Sequence, residues 1–121
     1  MKALFDSDVV IDLLGGLDMA WEEHGRYAEV AISRVTWIEA QVGAPTDEVR
    51  ALRASFLSHF RIVELDPAVS QLTITLRRRH RLKLPDAIVW ASARHADALL
   101  VTRNTKDFPP NEPSVRFPYK T

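Results

Sequence analysis

Carboxylates occur in this chain where an apolar pattern would exclude them. Asp6 ends the apolar run Ala3-Leu4-Phe5, and Asp8 follows just before a second run, Val9-Val10-Ile11, begins. Further along, Glu39 stands in "TWIEAQV", Asp86 in "LPDAIVWASA", and Asn104 with Asp107 in "RNTKDF". Bringing several such acids together costs free energy through like-charge repulsion unless a cation joins them. All the donors are oxygens, so the expected occupant is Mg²⁺ or Mn²⁺, held at about 2.1 Å by one or two carboxylates plus waters and substrate oxygens. Zinc is not expected, because the chain has no cysteine and its four histidines, His24, His59, His80 and His95, lack ligand spacing. Each acid also has a structural reading. Asp6 or Asp8 can cap the helix that follows, Thr36-x-x-Glu39 matches a capping box, and Asp86 can cap its own helix. Capping does not explain why Asp6 interrupts an apolar seam, and the two roles are compatible.

The elements that must position these acids follow from patterning. Lys2–Phe5 reads as a strand and Val9–Leu14 as a short helix stopped by Gly15-Gly16. Residues 17–29 are mixed, with Trp21, Glu22 and Glu23 suggesting a second helix. Val30–Ser33 reads as a second strand, and a helix starts near Thr36 and runs to about Val42, where Gly43 and Pro45 end it. Thr46 or Asp47 can cap a helix whose apolar positions Val49, Leu52, Phe56, Leu57 and Phe60 fall at helical spacing. Ile62–Leu65 is a third strand. Asp66-Pro67 is a strong helix start, because Asp accepts first-turn amides and Pro already has helical φ. That helix closes in the basic run "RRRHRLK". The next, from about residue 86 to 96, is apolar almost all round and so must be covered on both sides, by its sheet and by another helix or subunit. Leu99–Thr102 is read as a fourth strand, and Val115–Phe117 as a fifth at an edge. Strands alternating with helices give an α/β fold with a mostly parallel sheet covered on both faces. Ligands of such a sheet collect beyond the carboxyl ends of its strands, where Asp6, Glu39, Asp86 and the Asn104/Asp107 pair all fall.

Composition sets the outer bounds. The 121 residues fit one domain, 1–121, and 46% apolar content is enough for one core without staples. Without cysteine there is no disulfide framework, and no apolar run approaches a membrane span, so a soluble cytoplasmic protein is expected. The zero net charge conceals a split: residues 1–60 carry five Lys/Arg against ten Asp/Glu, and residues 61–121 carry eleven against six. An acidic patch beside a basic one suits a metal-dependent enzyme acting on a phosphate backbone. Arg103, Asn104 and Lys106 are candidate substrate contacts, as is "RRRHRLK", which a solvated helix end explains equally well. Trp21, Trp37 and Trp90 read as core residues, any exposed one marking a partner groove.

The pieces "LFDSDVVIDLL", "ISRVTWIEAQVG", "RLKLPDAIVWASA" and "LLVTRNTKDF", in that order, resemble a PIN domain, and more narrowly the VapC-type toxins of bacterial toxin-antitoxin pairs. The resemblance spans nearly the whole chain. It implies a three-layer sandwich of four to five strands and a ribonuclease cutting structured RNA, often transfer RNA, to leave 5′-phosphate and 3′-hydroxyl ends. It carries the catalytic site to Asp6, Glu39, Asp86 and Asp107, with Asn104 an alternative fourth metal ligand beside Asp107. Asp8 departs from the family's usual small polar residue and adds a charge. The implied partners are an antitoxin that lays a helix in a groove, a second copy of the chain in a homodimer or larger assembly, RNA, and operator DNA only through the antitoxin. No membrane partner is implied. Two other readings fit parts of the pattern. "FDSDVVID" also fits a haloacid-dehalogenase-like phosphatase with Asp6 as nucleophile and Asp8 as acid/base, but the chain is short for that fold and lacks its downstream motifs. A non-catalytic PIN-like module binding RNA or protein is the other.

Overall fold

The computed structural model describes residues 1–121. The five strands are β1 (Lys2–Phe5), β2 (Glu29–Ser33), β3 (Arg61–Val63), β4 (Leu99–Val101) and β5 (Val115–Arg116). The six helices are α1 (Ser7–Leu14), α2 (Asp18–His24), α3 (Arg34–Val42), α4 (Asp47–Leu57), α5 (Pro67–His80) and α6 (Leu84–His95). Every strand pair is parallel, in the order β3-β2-β1-β4-β5. From β1 the chain first builds outward through β2 and β3, then returns to the other side for β4 and β5. β1 is therefore the point at which the winding reverses, and a crevice opens beyond the carboxyl ends of the strands there.

Alternation along the strands divides the core between two faces. Ala3, Phe5, Val30, Ile32 and Val101 pack with α1, α2, α3 and α4, whereas Leu4, Ala31 and Leu100 pack with α5 and α6. The result is a three-layer sandwich. All residues from Ala87 to Ala93 in α6 are buried, because the helix lies between the sheet and α5 of the same chain. The apolar stretch Ala87–Ala93 is thus covered within the chain, and only the ends of the helix reach the surface. Trp90 is fully buried and donates from Nε1 to Ser114 Oγ at 3.1 Å, while Trp21 keeps 42% exposure. No helix is long and apolar enough to cross a membrane.

Several boundaries differ from those read in the sequence, each for a local reason. α1 begins at Ser7 instead of Val9, because the Asp6 side chain accepts the Ser7 amide and starts the helix directly off the strand. α3 begins at Arg34, since the Ser33 hydroxyl caps it by accepting from Thr36 N at 3.2 Å. The Thr36-Glu39 capping box is therefore not formed, and Glu39 lies in the body of the helix instead of its first turn. Lys83 occupies the cap position of α6 without a side-chain bond, which leaves Asp86 in the first turn as a helix residue and not a cap. β3 is Arg61–Val63, one residue earlier than expected and short, and β5 is reduced to Val115–Arg116. Gly16 has φ of +76°, a left-handed turn that ends the first helical segment and that a side chain would resist.

Candidate active site

Asp6 follows β1 at φ −69° and ψ 164°, still extended, so the strand rather than a loop fixes its position. Its side chain is only 7% exposed. Oδ1 accepts from the Ser7 amide at 2.8 Å, and Oδ2 accepts from the Thr102 hydroxyl at 2.8 Å. Thr102 comes directly after β4, the neighbouring strand, and is fully buried. Asp8 enters from the first turn of α1. Its Oδ2 accepts from the Arg103 amide at 3.1 Å, whereas its Oδ1 is buried with no hydrogen-bond partner. From β2 and α3 comes Glu39, whose Oε1 accepts from the Ser7 hydroxyl at 2.8 Å. Ser7 Oγ also lies 3.1 Å from the buried Thr36 Oγ1, so the serine joins α1 to α3 across the crevice.

Asp6, Ser7, Asp8, Glu39, Pro85, Asp86 and Val89 line one cavity of about 250 Å³. The end of β1, the start of α1, the body of α3 and the first turns of α6 meet in it. Asn104 and Asp107 stand beside this cavity and not in its lining. They bind each other instead: Asn104 Nδ2 donates to Asp107 Oδ2 and the Asp107 amide donates to Asn104 Oδ1, both at 3.0 Å. Lys83 Nζ lies 3.8 Å from Asp107 Oδ2. Arg103, read from the sequence as a phosphate contact, has its guanidinium committed to Asp12, with Nε 2.7 Å from Oδ2, and to Thr121 Oγ1. Lys106 is exposed at the loop surface. Sequence reading missed Ser7, Thr36 and Thr102. Their hydroxyls are addressed to the acids by contacts up to 96 residues apart in the chain, and only "DS" beside Asp6 gave a local signal.

The electrostatics are those of a site short of positive charge. Burial, and then the neighbouring Asp8, push the Asp6 carboxyl up to about 7, against the Thr102 and Ser7 hydrogen bonds that pull it down. Burial also raises Asp8, opposed by the Arg103 amide and charge. Asp86 is raised by burial and by Asp107, with Lys83 offsetting part of this and Glu39 and Asp8 adding to it. The donor set fits a hard divalent cation. It is all oxygen, it includes the orphaned Asp8 Oδ1, and three of its acids, Asp6, Asp8 and Asp86, are pushed toward their neutral forms, chiefly by burial. No three acidic or histidine side chains are gathered closely enough to hold one ion among them. Mg²⁺ makes no such demand, since it keeps several waters and takes one or two carboxylates.

Comparison with known proteins agrees with this geometry. The PIN-domain family model matches residues 3–109. A chain of a toxin-antitoxin complex from Klebsiella pneumoniae is 38% identical over 98% of this chain and 99% of its own, with a TM-score of 0.91. At 20% identity the VapBC2 complex from Rickettsia felis, bound to a DNA fragment from its promoter, shares the fold with a TM-score of 0.76 over 95% of this chain and 96% of that one. DNA-bound VapBC from Salmonella typhimurium does so at 17% identity and a TM-score of 0.74, over 96% of each chain. No curated protein matches the sequence. The family model, the near-complete 38% match and the acid-lined crevice lead to one assignment: this chain belongs to the PIN-domain family.

Proposed function

We propose that the protein is a metal-dependent endoribonuclease and the toxin of a toxin-antitoxin pair, hydrolysing phosphodiester bonds in structured RNA, with transfer RNA as the substrate class to test first. The observation that carries this reading is the convergence of Asp6, Asp8, Glu39 and Asp86 on one cavity at the reversal point of the sheet, with three of the four carboxyls pushed upward. Asp6 and Asp86 are the residues to hold Mg²⁺ or Mn²⁺. Glu39 completes the acidic set, and Asp107, beside Asp86, is the fourth group, with Asn104 holding its carboxylate. A bound divalent ion would supply charge neutralisation at the scissile phosphate and acidify a water molecule. The protein's own contribution is placement. The strand end fixes Asp6, Thr102 holds its Oδ2, and Ser7 holds Glu39 at the opposite wall.

The antitoxin reading needs an exposed apolar groove, and one lies away from the acidic cavity. Ile11 and Leu14 of α1, Trp21 of α2 and Val49, Leu52 and Phe56 of α4 line a cleft of about 570 Å³. It suits the apolar face of a partner helix. A homodimer belongs to the same reading, and light scattering of the antitoxin-free protein measures it.

The test is cleavage of total cellular RNA by antitoxin-free protein with and without Mg²⁺ or Mn²⁺, beside Asp6→Asn and Asp86→Asn. Wild-type cleavage leaving 5′-phosphate ends, with each variant slower by roughly 100-fold or more, is expected. Metal binding without cleavage of any RNA would instead indicate a binding module.

A further inference from the structure

The chain holds twelve arginines, of which nine have a partner. Arg26, Arg34, Arg50, Arg61, Arg103 and Arg116 pair with carboxylates. Arg53 and Arg77 donate to backbone carbonyls, and Arg94 lies over the Trp90 ring. The three left without a partner, Arg78, Arg79 and Arg81, are exposed and fall together at the corner between α5 and α6. Helix-dipole complementarity accounts for basic residues in the last turn of α5. It does not account for Arg81. That residue has left the helix and sits in the left-handed conformation, φ 54° and ψ 39°, where glycine is favoured and a long side chain is kept at a cost.

Arg78 and Arg81 line a groove of about 440 Å³ with Thr73, Ile74, Leu82 and Leu84, and the Arg77 Nε bond to Leu82 O at 3.2 Å fixes the turn that forms its floor. This groove adjoins the acidic cavity. Leu84 lines the groove, and the next two residues, Pro85 and Asp86, line the cavity. Lys83, immediately before Leu84, reaches Asp107 beside the cavity. Unpaired cations therefore lead by a short step to the acids, the order a phosphate backbone entering the site would meet. We propose that the groove carrying Arg78 and Arg81 is the seat of the RNA backbone flanking the scissile phosphate. This rests on the ribonuclease reading and extends it. Arg79, one residue away and outside the groove, takes no part.

Counterion release makes the proposal measurable, because each phosphate contact on a single strand contributes about 0.7 to the dependence of log K on log salt. The experiment follows fluorescence anisotropy of a short labelled single-stranded RNA with the full chain in EDTA, over a salt series, so that binding is read without cleavage. Arg78→Gln combined with Arg81→Gln is expected to flatten the slope by about 1.4. It should weaken binding more than tenfold at low salt with an unchanged thermal midpoint. Arg78→Lys with Arg81→Lys retains the slope, and Arg79→Gln leaves it unchanged. Equal effects from Arg79→Gln and from the groove pair would overturn the groove in favour of a diffuse field. An unchanged slope in the Gln pair overturns it as well, and if that pair also shifts the sedimentation of the free protein, the corner contacts a second copy. Restoring Mg²⁺ or Mn²⁺ separates the two readings. Binding with the expected slope but no cleavage would remove the ribonuclease and leave the groove; cleavage with no slope change would do the reverse; neither binding nor cleavage removes both.

Discussion

Asp6 shows how one residue serves folding and chemistry against its own electrostatic interest. It caps α1 through the Ser7 amide and anchors the Thr102 hydroxyl of the next strand, so its placement is fixed by the fold. Its charge is what the fold resists. Burial and Asp8 raise its carboxyl from 3.8 to about 7, which means the folded state holds the proton more tightly than the unfolded chain. Stability from this group is therefore full below the unfolded value of 3.8 and is lost as pH rises toward about 7. At one pKa unit per about 1.4 kcal/mol, the loss reaches at most about 4 kcal/mol, shared with Asp8. Urea denaturation in EDTA is expected to show the wild type weakening across that interval. Asp6→Asn should keep its stability there, because the amide needs no ionisation. Adding Mg²⁺ above pH 7 should restore the wild type and leave the variant unmoved. A wild-type profile flat between those pH values would mean that the acids are better solvated than their burial indicates.

At the scale of elements, the short last strand needs an anchor of its own. β5 has only two residues, yet Arg116 reaches across to Glu23 on α2 through Nε at 2.7 Å and Nη2 at 3.1 Å. Tyr27 donates to the same carboxylate at 2.6 Å, and Glu23 is 4% exposed. Burial pushes the Glu23 carboxyl up, but the Arg116 and Tyr27 hydrogen bonds outweigh it and hold the group below its usual range. Its contribution is accordingly present above the unfolded carboxylate value and lost as pH falls through the lowered one, the reverse of Asp6. Glu23→Gln leaves a partly exposed Arg116 unpaired and should cost about 2–3 kcal/mol near neutral pH by urea denaturation, with the gap to wild type closing in acid. None of this was legible in "WEEHGRY", where Glu23 resembles any surface acid, because its partner lies 93 residues away. The same limit governs the rest. The order of strands and helices, and the acids at strand ends, are written in local apolar periodicity and in breakers such as Gly15-Gly16 and Asp66-Pro67. The Ser33 cap is a local contact to the Thr36 amide, whereas the Asp12 pairing that takes up Arg103, and the threonine and serine contacts to the acids, depend on which elements meet. The family motif brought Asp107 close to the site, yet its side chain faces Asn104 and Lys83 instead of the cavity lining.

The whole molecule separates its surfaces by chemistry. An acidic cavity occupies the carboxyl edge of the sheet, and an apolar cleft runs among α1, α2 and α4. The two share α1, whose Asp8 faces the cavity while Ile11 and Leu14 line the cleft. A partner seated in the cleft would thus press on the helix that carries one wall of the cavity. Leu52, at 71% exposure, touches the cleft without supporting the core. Replacing it with Asp removes apolar area from the surface and places a charge that the partner must desolvate. Leu52→Asp should leave folding stability within about 0.5 kcal/mol of wild type. RNA cleavage by the free protein should also be unchanged, since no cavity residue moves. Affinity for the co-expressed antitoxin, measured by calorimetry on the separated chains, should fall by about tenfold or more. The variant would then escape inhibition while cutting at the wild-type rate. Retained affinity would move the antitoxin to another face and leave the cleft without a role in inhibition, whereas a loss of cleavage together with affinity would mean that the cleft and cavity are coupled through α1.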